Sequence, residues 1–229
     1  MSKPFLSRDA LHDSKHRFEL KAGHYPDDIL PSTNEEIYRP IVIGENCRID
    51  GVVFGGTVEM RNNSKAMSVY GERVNIFDSC FIGGNVQSSG DIYIGKGVEI
   101  RGDVIGDRIT IDDSAVIKGN VYSKYNINIG YYAIIWGYVI SSSGSIAVGD
   151  NSEIFDIISH GNILLGDNVK IIDPVIRSSE GSIQFSNLVV GRNFSVRECP
   201  PIVIQDNEIN IYKIATKSFS SIPNIPKFQ

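Results

Sequence analysis

Residues that commonly bind metals are scarce in this sequence. Its 229 residues include only four histidines and three cysteines. Cys47, Cys80 and Cys199 form no CxxC pair, so neither a zinc knuckle nor a disulfide framework is expected. Only His160 lies inside the repeat described below, which excludes a zinc centre made by three histidines on that repeat. We therefore expect no metal site, and reduced cysteines of which Cys47 and Cys80 are inert core residues at one repeat position.

The sequence also lacks a basic field, a long apolar run and a phosphate-binding loop. Its net charge is -5 and its pI is about 5.4, which gives no electrostatic basis for binding nucleic acid. No stretch reaches the ~20 apolar residues of a membrane helix, and the N-terminus has no apolar signal core. The Gly55-Gly56 and Gly83-Gly84 pairs lack the Lys-Ser/Thr that completes a P-loop. We therefore expect a soluble cytoplasmic protein with no transmembrane segment, no nucleic-acid partner and no cofactor.

What the sequence does contain is an internal repeat, the feature that most constrains a fold. Its marker is a triplet with apolar residues at both ends, usually followed by glycine. The triplets start at Ile41, Val58, Val74, Ile92, Ile109, Ile127, Ile146, Ile163 and Leu188. From Ile92 to Ile163 the starts lie 17 to 19 residues apart, and the Val58 triplet is the poorest copy. Leu188 follows Ile163 by 25 residues, which predicts an inserted loop around residues 177–182.

Other positions repeat as well when the triplet start is counted as position 1. Position 7 is small or apolar, positions 9 and 13 are apolar, and position 11 is Gly or, at Asp156 and Asp173, aspartate. The later residues assigned to position 13 are Val139, Ile158 and Val175. Alternating apolar residues predict short strands with one face inward. Gly or Asp after a strand supplies a tight bend.

This pattern predicts an all-β fold, a single parallel β-solenoid of about nine coils of 17–19 residues over residues 38–205. No single coil buries its apolar row, but stacking coils at ~4.8 Å aligns the rows into one core. A β-sandwich, the competing fold, does not require one residue type at the same register in eight coils. Residues 1–37 and 206–229 are then tails or caps, with a short helix expected at Arg8–Leu20 and a strand at Glu208–Tyr212.

Three corner tripeptides carry a resemblance to a known family. Gly84-Asn85-Val86, Gly102-Asp103-Val104 and Gly119-Asn120-Val121 resemble the corners of the bactofilins, and the similarity extends over residues 41–176. That resemblance implies a right-handed β-helix that polymerises end to end without nucleotide and serves as a cytoskeletal scaffold. The repeat is also similar, more weakly, to the left-handed hexapeptide acyltransferases, in which a histidine on a coil is the general base.

Two groups of residues are candidates for a functional site. His160 is the general base if the chain is an acyltransferase, and otherwise a solvent-facing corner residue. Aromatic residues cluster around the coil that starts at Ile127, and several of them occupy positions that should face outward. The candidate binding or interface residues are Tyr131, Tyr132, Trp136 and Tyr138. Such a surface binds a partner or a sugar, or is covered by a tail.

Polar residues at the corners are expected to be mainly structural. Position 5 stacks Asp150 on Asp167, a pair that raises a pKa or holds a cation if it is not a solvated corner. Glu153 and Lys170, at position 8 of adjacent coils, are expected to form an ion pair. Position 6 is asparagine, a residue that tolerates left-handed backbone, at Asn46, Asn63, Asn151, Asn168 and Asn193.

The ends of the predicted solenoid bear most directly on function. Each end carries unpaired strand edges that a protein must cap or use. We therefore expect a non-enzymatic scaffold whose partner is itself, assembled through the ends of the β-helix. Two alternatives remain open at this point: an acyltransferase that uses His160, and a carbohydrate-binding or carbohydrate-processing β-helix that uses the aromatic residues.

Overall fold

A computed structural model of the chain describes residues 17–30, 39–172 and 176–190, with side chains described through Phe185. These residues contain 22 strands that pair in parallel, and no helix, which confirms the predicted all-β fold. It follows that no helix in the described ranges is able to cross a membrane. The strands, in chain order, are β1 (Phe18–Leu20), β2 (Gly23–Tyr25), β3 (Ile41–Ile43), β4 (Cys47–Ile49), β5 (Val52–Met60), β6 (Lys65–Ala66), β7 (Ser68–Ile76), β8 (Phe81–Ile82), β9 (Val86–Ser88), β10 (Ile92–Ile94), β11 (Glu99–Ile100), β12 (Val104–Gly106), β13 (Ile109–Ile111), β14 (Val116–Ile117), β15 (Val121–Ser123), β16 (Ile127–Ile129), β17 (Ile134–Ser141), β18 (Ile146–Val148), β19 (Glu153–Ser159), β20 (Ile163–Ile171), β21 (Ile176–Ser178) and β22 (Ile183–Val190).

The strands stack as a β-solenoid of about eight turns, in which each turn crosses three faces. In the turn that starts at Ile92, β10 lies on the first face, β11 on the second and β12 on the third. Each pairs in parallel with its counterpart in the next turn, β13, β14 and β15 respectively. Residues at equal repeat positions therefore lie directly above one another.

The core consists of the apolar rows at positions 1, 3, 7, 9 and 13. Ile92, Ile94, Val98, Ile100 and Val104 are the inward residues of one turn, and all are buried. Equivalent residues are buried in the turns on either side and form one continuous hydrophobic cluster. Burying this much branched apolar surface is the main stabilising contribution to the fold.

A left-handed residue at position 6 bends the eight turns that start at Ile41 through Ile163, between their first and second faces. Its φ lies between 57° and 66° at Asn46, Asn63, Ser79, Gly97, Ser114, Tyr132, Asn151 and Asn168. The expectation for asparagine at this position is confirmed at four residues, because its short polar side chain tolerates this backbone best. Serine, glycine and tyrosine fill the remaining turns.

The turn that starts at Val58 fits the repeat, although its sequence predicts the poorest copy. Val58 and Met60 are fully buried on the first face, and Ser64 takes position 7. The hydroxyl of Ser64 donates to the carbonyl of Gly44 over 2.7 Å and accepts the N–H of Cys47 over 3.1 Å. A serine with both hydrogen-bonding functions satisfied is thus tolerated in the core.

At its N-terminal side the solenoid begins earlier than residue 38. Strand β1 pairs with β3 and strand β2 pairs with β4, so part of the predicted tail belongs to the sheet. The helix expected at Arg8–Leu20 is wrong over its described part, where Phe18–Leu20 is a strand with Leu20 buried.

One register assignment on the third face is wrong by a residue. Ile157, and not Ile158, pairs with Val139 and is fully buried, and Ile176 pairs with Ile157 in turn. The corner before Ile157 is one residue shorter than in the preceding turn, which shifts the ladder there. Asp156 pairs with the exposed Tyr138 but is itself buried. Its carboxylate accepts the N–H of Ile157 over 2.7 Å and lies 3.6 Å from the guanidinium of Arg177.

The predicted restart of the repeat at Leu188 is also wrong. Ile183, only 20 residues after Ile163, pairs with it on the first face, whereas Leu188 pairs with Val169 on the second. Part of the loop expected at residues 177–182 is strand β21 on the third face. The other residues assigned near this end, Asp173, Val175, Asn193, Val196, Cys199 and the Glu208–Tyr212 strand, lie outside the described residues, as does the tail 206–229.

Candidate functional site

The four aromatic residues that the sequence singles out lie on the outside of one turn. Tyr131 and Tyr132 occupy the corner before β17, and Trp136 and Tyr138 project from β17 itself. All four are exposed, Trp136 by 55%. The ammonium of Lys118 lies 5.4 Å from the ring centroid of Trp136, within cation–π range. We call these four residues the aromatic turn.

Tyr132 combines exposure with backbone strain. It is the only aromatic side chain at a left-handed position in the described ranges, with φ 57° and 61% exposure. A bulky residue in this conformation costs about 1–3 kcal/mol. Burial of the ring does not offset that cost.

His160 lies at the corner after β19 and contacts two residues of the next turn. Its Nδ1 is 3.0 Å from the hydroxyl of Ser179, and its Nε2 is 3.3 Å from the carboxylate of Glu180. Both ring nitrogens therefore have partners, and the ring is part-exposed. Ser179 and Glu180 are partners that sequence reasoning missed, because the misplaced inserted loop removed them from the repeat register.

The serine, histidine and glutamate at this corner do not form a complete hydrolytic site. Acyl transfer needs N–H donors aimed at the developing oxyanion. Here the N–H groups of Ser179 and Glu180 donate to the carbonyls of Ser159 and His160, and the N–H of Gly181 donates to the Ser178 hydroxyl. The backbone N–H groups of Ser179, Glu180 and Gly181 therefore form hydrogen bonds within the solenoid and are not free to bind an oxyanion.

The corner carboxylates serve the same structural purpose. Asp150 stacks on Asp167 as predicted, but its Oδ1 accepts the backbone N–H of Asp167 over 2.8 Å. Asp78 and Asp113 accept the N–H groups of Lys96 and Tyr131 in the same way, over 2.9 Å. The described part of the chain holds no group of three or more His, Cys, Asp or Glu residues able to bind a metal ion.

The predicted ion pair between adjacent turns is confirmed, and a second polar pair lies at the neighbouring corner. The ammonium of Lys170 lies 3.0 Å from the carboxylate of Glu153, across one inter-turn step. The amide of Asn168 donates to Oδ1 of Asn151 over 3.4 Å, a weak rung of an asparagine ladder. Both pairs are exposed, so each contributes less than about 1 kcal/mol.

Cys47 and Cys80 are buried core residues with free thiols, as expected. The thiol of Cys80 donates to the carbonyl of Arg61 over 3.1 Å, and that of Cys47 donates to the carbonyl of Lys21 over 3.1 Å. Burial raises the pKa of Cys47, and it raises that of Cys80 from 9.0 to about 11. Both are therefore protonated at neutral pH, and the thiol form is a poor nucleophile.

A shallow groove of about 260 Å³ lies on the first face between the turns that start at Ile127 and Ile183. Three asparagines, Asn126, Asn128 and Asn162, line it together with Ala147 and Leu164. None of its nine lining residues carries a charge. We call it the amide groove. Sequence reasoning missed it, although the small Ala147 in the outward row between Asn128 and Leu164 was the available signal.

The last described turn exposes residues at core positions. Ile183 is 38% exposed and Phe185 is 49% exposed. They occupy positions 1 and 3, and their partners in the preceding turn, Ile163 and Leu165, are buried. We call Ile183 and Phe185 the apolar end.

Comparisons with known proteins identify no relative of this chain. No protein-family model, no curated protein and no solved structure matches it.

Proposed function

We propose that this chain is a non-enzymatic cytoplasmic scaffold that assembles with further copies of itself through the ends of its solenoid, as the bactofilins do. The right-handed winding implied by the corner tripeptides is part of this proposal. Three features of the described residues support it: the apolar end, the repeated inter-turn contact and the one-sided pairing of the first strands.

The apolar end is the observation that carries the proposal. Residues at the positions of Ile183 and Phe185 are buried in the preceding turn, because the next turn covers them. Exposed apolar residues at a strand edge are a template for further pairing. The first turn of a second copy carries Phe18, which is partly exposed, and Leu20, which is buried, at the same repeat positions.

The contact between turns is also suited to joining two chains. It consists of in-register apolar rows and of corner side chains that accept backbone N–H groups of the next turn. Asp103 accepts the N–H of Asn120 over 2.7 Å, and Asn120 accepts that of Tyr138 over 2.9 Å. Because these contacts recur, a joint between two chains needs no interaction that the solenoid does not already make.

The opposite end supplies the complementary edge. Among the described strands, β1 pairs only with β3, and β2 only with β4. On the other side of the stack, β20 is the one described strand that pairs with β22. Placing β1 of one copy on β22 of another continues the parallel pairing across the joint and covers both edges.

The acyltransferase alternative gains no support from the structure. A general base needs a ring nitrogen within reach of the substrate. The nitrogens of His160 lie beside the Ser179 hydroxyl and the exposed Glu180 carboxylate, contacts that by themselves do not stop a histidine from acting as a base. The observation against acyl transfer is that the backbone N–H groups of Ser179, Glu180 and Gly181 are all bonded within the fold and are not free to stabilise an oxyanion.

The proposal is tested by placing a charge on the apolar end. Ile183→Asp and Phe185→Asp are expected to abolish assemblies larger than a few chains in sedimentation velocity, because a buried carboxylate costs several kcal/mol. Leu164→Asp is the matched control, since Leu164 is 53% exposed at the outward position between Ile163 and Leu165. Circular dichroism and melting temperature establish that each variant remains folded.

Large assemblies in the wild type and the Leu164 control, with small particles in both end variants, support the proposal. Assemblies of undiminished size in folded Ile183→Asp and Phe185→Asp contradict it. A wild-type protein that sediments as one small species also contradicts it.

A further inference from the structure

We propose that the amide groove binds one uncharged sugar unit of a glycan. This site lies on the first face, away from the aromatic turn, and it reaches the apolar end at Gln184, the outward residue between Ile183 and Phe185. Four features of the groove lead to this assignment: its charge, its fixed donors, its apolar wall and its size.

The lining of the groove is uncharged but polar. Five of its nine residues have amide or hydroxyl side chains, and the other four are apolar. A phosphate, carboxylate or ammonium group finds no opposite charge on this lining, and desolvating an ion without one is unfavourable. The groove therefore complements a neutral ligand that carries several hydroxyl or acetamido groups.

Two of the amides are held in orientation by the solenoid. Oδ1 of Asn126 accepts the N–H of Ser145, and Oδ1 of Asn162 accepts the N–H of Ser182, both over 2.9 Å. Because the oxygens are fixed, each Nδ2 group is left as a donor, and neither donates to a described residue. Pre-oriented donors lower the entropic cost of binding, and a few such groups are what gives a small-molecule site its specificity.

The space between the amides has an apolar wall. Ala147 pairs in register with Asn128 on one side and Leu164 on the other, and its small side chain opens the groove between these longer neighbours. The side chain of Leu164 is more than half exposed. A sugar ring suits this combination, since its C–H groups contact the apolar wall while its hydroxyls accept from the amides.

The size of the groove sets the extent of the ligand. At about 260 Å³ it is smaller than the ~300–1,000 Å³ of sites that enclose a drug-sized molecule. The groove is also open to solvent along the first face. It therefore accommodates one ring, while the rest of a glycan chain continues across the outer surface.

The test is saturation-transfer difference NMR of full-length protein with tri-N-acetylchitotriose and with maltotriose, two neutral oligosaccharides. This measurement observes the ligand and works whether the protein is a single chain or a polymer. Ala147→Leu fills the groove from an outward position, and Asn128→Ala removes an amide without touching the core. Thr110→Leu is the matched control, one turn before Asn128 on the same face and outside the groove.

We expect saturation transfer to at least one oligosaccharide, an affinity at least tenfold lower in Ala147→Leu, a weaker loss in Asn128→Ala, and no change in Thr110→Leu. No transfer to either oligosaccharide overturns the proposal. Transfer that is unchanged in both groove variants overturns it as well. Transfer that persists in Ala147→Leu and disappears in Trp136→Ala assigns binding to the aromatic turn and not to the groove.

Discussion

Individual corner residues hold the turns of this solenoid together through their side-chain oxygens. Asp28, Asp103 and Asn120 accept backbone N–H groups of the following turn over 2.7 to 2.9 Å. Serines at the end of the third-face strands bond to the preceding turn instead. The hydroxyls of Ser88 and Ser123 donate to carbonyls of that turn over 2.8 and 2.7 Å. The corners therefore satisfy backbone groups that the short strands leave unpaired, which explains why small polar residues recur there.

Tyr132 is the corner residue whose replacement we expect to stabilise the fold. Tyr132→Asn places at the left-handed position the residue that four other turns use, and we expect the free energy of unfolding to rise by about 1 kcal/mol. Urea denaturation measures this change. Tyr131→Asn, one residue earlier and outside the left-handed region, is the control and is expected to give no gain. Equal or lower stability of Tyr132→Asn relative to Tyr131→Asn contradicts this reading.

We expect the ionisation of Cys80 to lower the stability of the fold at high pH. Its pKa is raised by burial from 9.0 to about 11, so the fold disfavours the thiolate. The protonated thiol therefore contributes to the free energy of unfolding. This contribution is fully present below pH 9 and is lost as the pH rises towards 11, which lowers the free energy of unfolding by up to about 3 kcal/mol over two pH units. Cys80→Ser introduces the residue that occupies the same position at Ser64 and Ser152, where each hydroxyl has hydrogen-bond partners.

The comparison between wild type and Cys80→Ser isolates this thiol from the other groups that titrate in alkali. We expect urea midpoints measured from pH 8 to pH 11 to fall more steeply for the wild type. If the urea midpoints of the two proteins fall in parallel with pH, ionisation of the Cys80 thiol does not destabilise the fold, and this prediction is wrong.

At the scale of the strand, inward and outward positions differ sharply in what they tolerate. Ile135 and Trp136 are adjacent in β17, yet Ile135 is fully buried and Trp136 is exposed. Ile135→Asp buries an unpaired carboxylate and is expected to cost several kcal/mol, enough to unfold the middle turns. Trp136→Asp is the matched control and is expected to change stability by about 1 kcal/mol or less. Thermal unfolding monitored by circular dichroism distinguishes the two, and similar melting temperatures would contradict the assigned register.

Strand positions were predictable from the sequence wherever turns keep one length. From Val74 to Ile146 the apolar rows, the bends and the outward aromatic residues follow from period-2 alternation and recurring glycine. The prediction failed where a corner changes length by a residue, as it does before Ile157. The sequence around such a corner still alternates, so periodicity alone does not reveal the slip.

Contacts between side chains were predictable only where both residues were assigned to the correct repeat position. Glu153 and Lys170 occupy the same position in adjacent turns, and their ion pair follows directly from the repeat. The contacts of His160 with Ser179 and Glu180 depend on a corner whose register was misassigned. The amide groove was missed for another reason, because it arises from differences in side-chain size along an outward row, which the repeat does not constrain.

At the scale of the whole molecule, the described strands from β1 to β22 belong to one parallel stack. The last described turn exposes Ile183 and Phe185 at positions that other turns bury, whereas Leu20 in the first described strand is buried. Self-association, as we propose it, uses the same contacts that form the fold, and the lateral faces remain available for other ligands.

The most direct test of this account is negative-stain electron microscopy of the purified wild-type chain at near-physiological salt. We predict unbranched filaments without added nucleotide, many times longer than the ~40 Å that the stacked turns of one solenoid span at ~4.8 Å each. Uniform particles of a single solenoid's length, at every protein concentration examined, would contradict assembly through the ends.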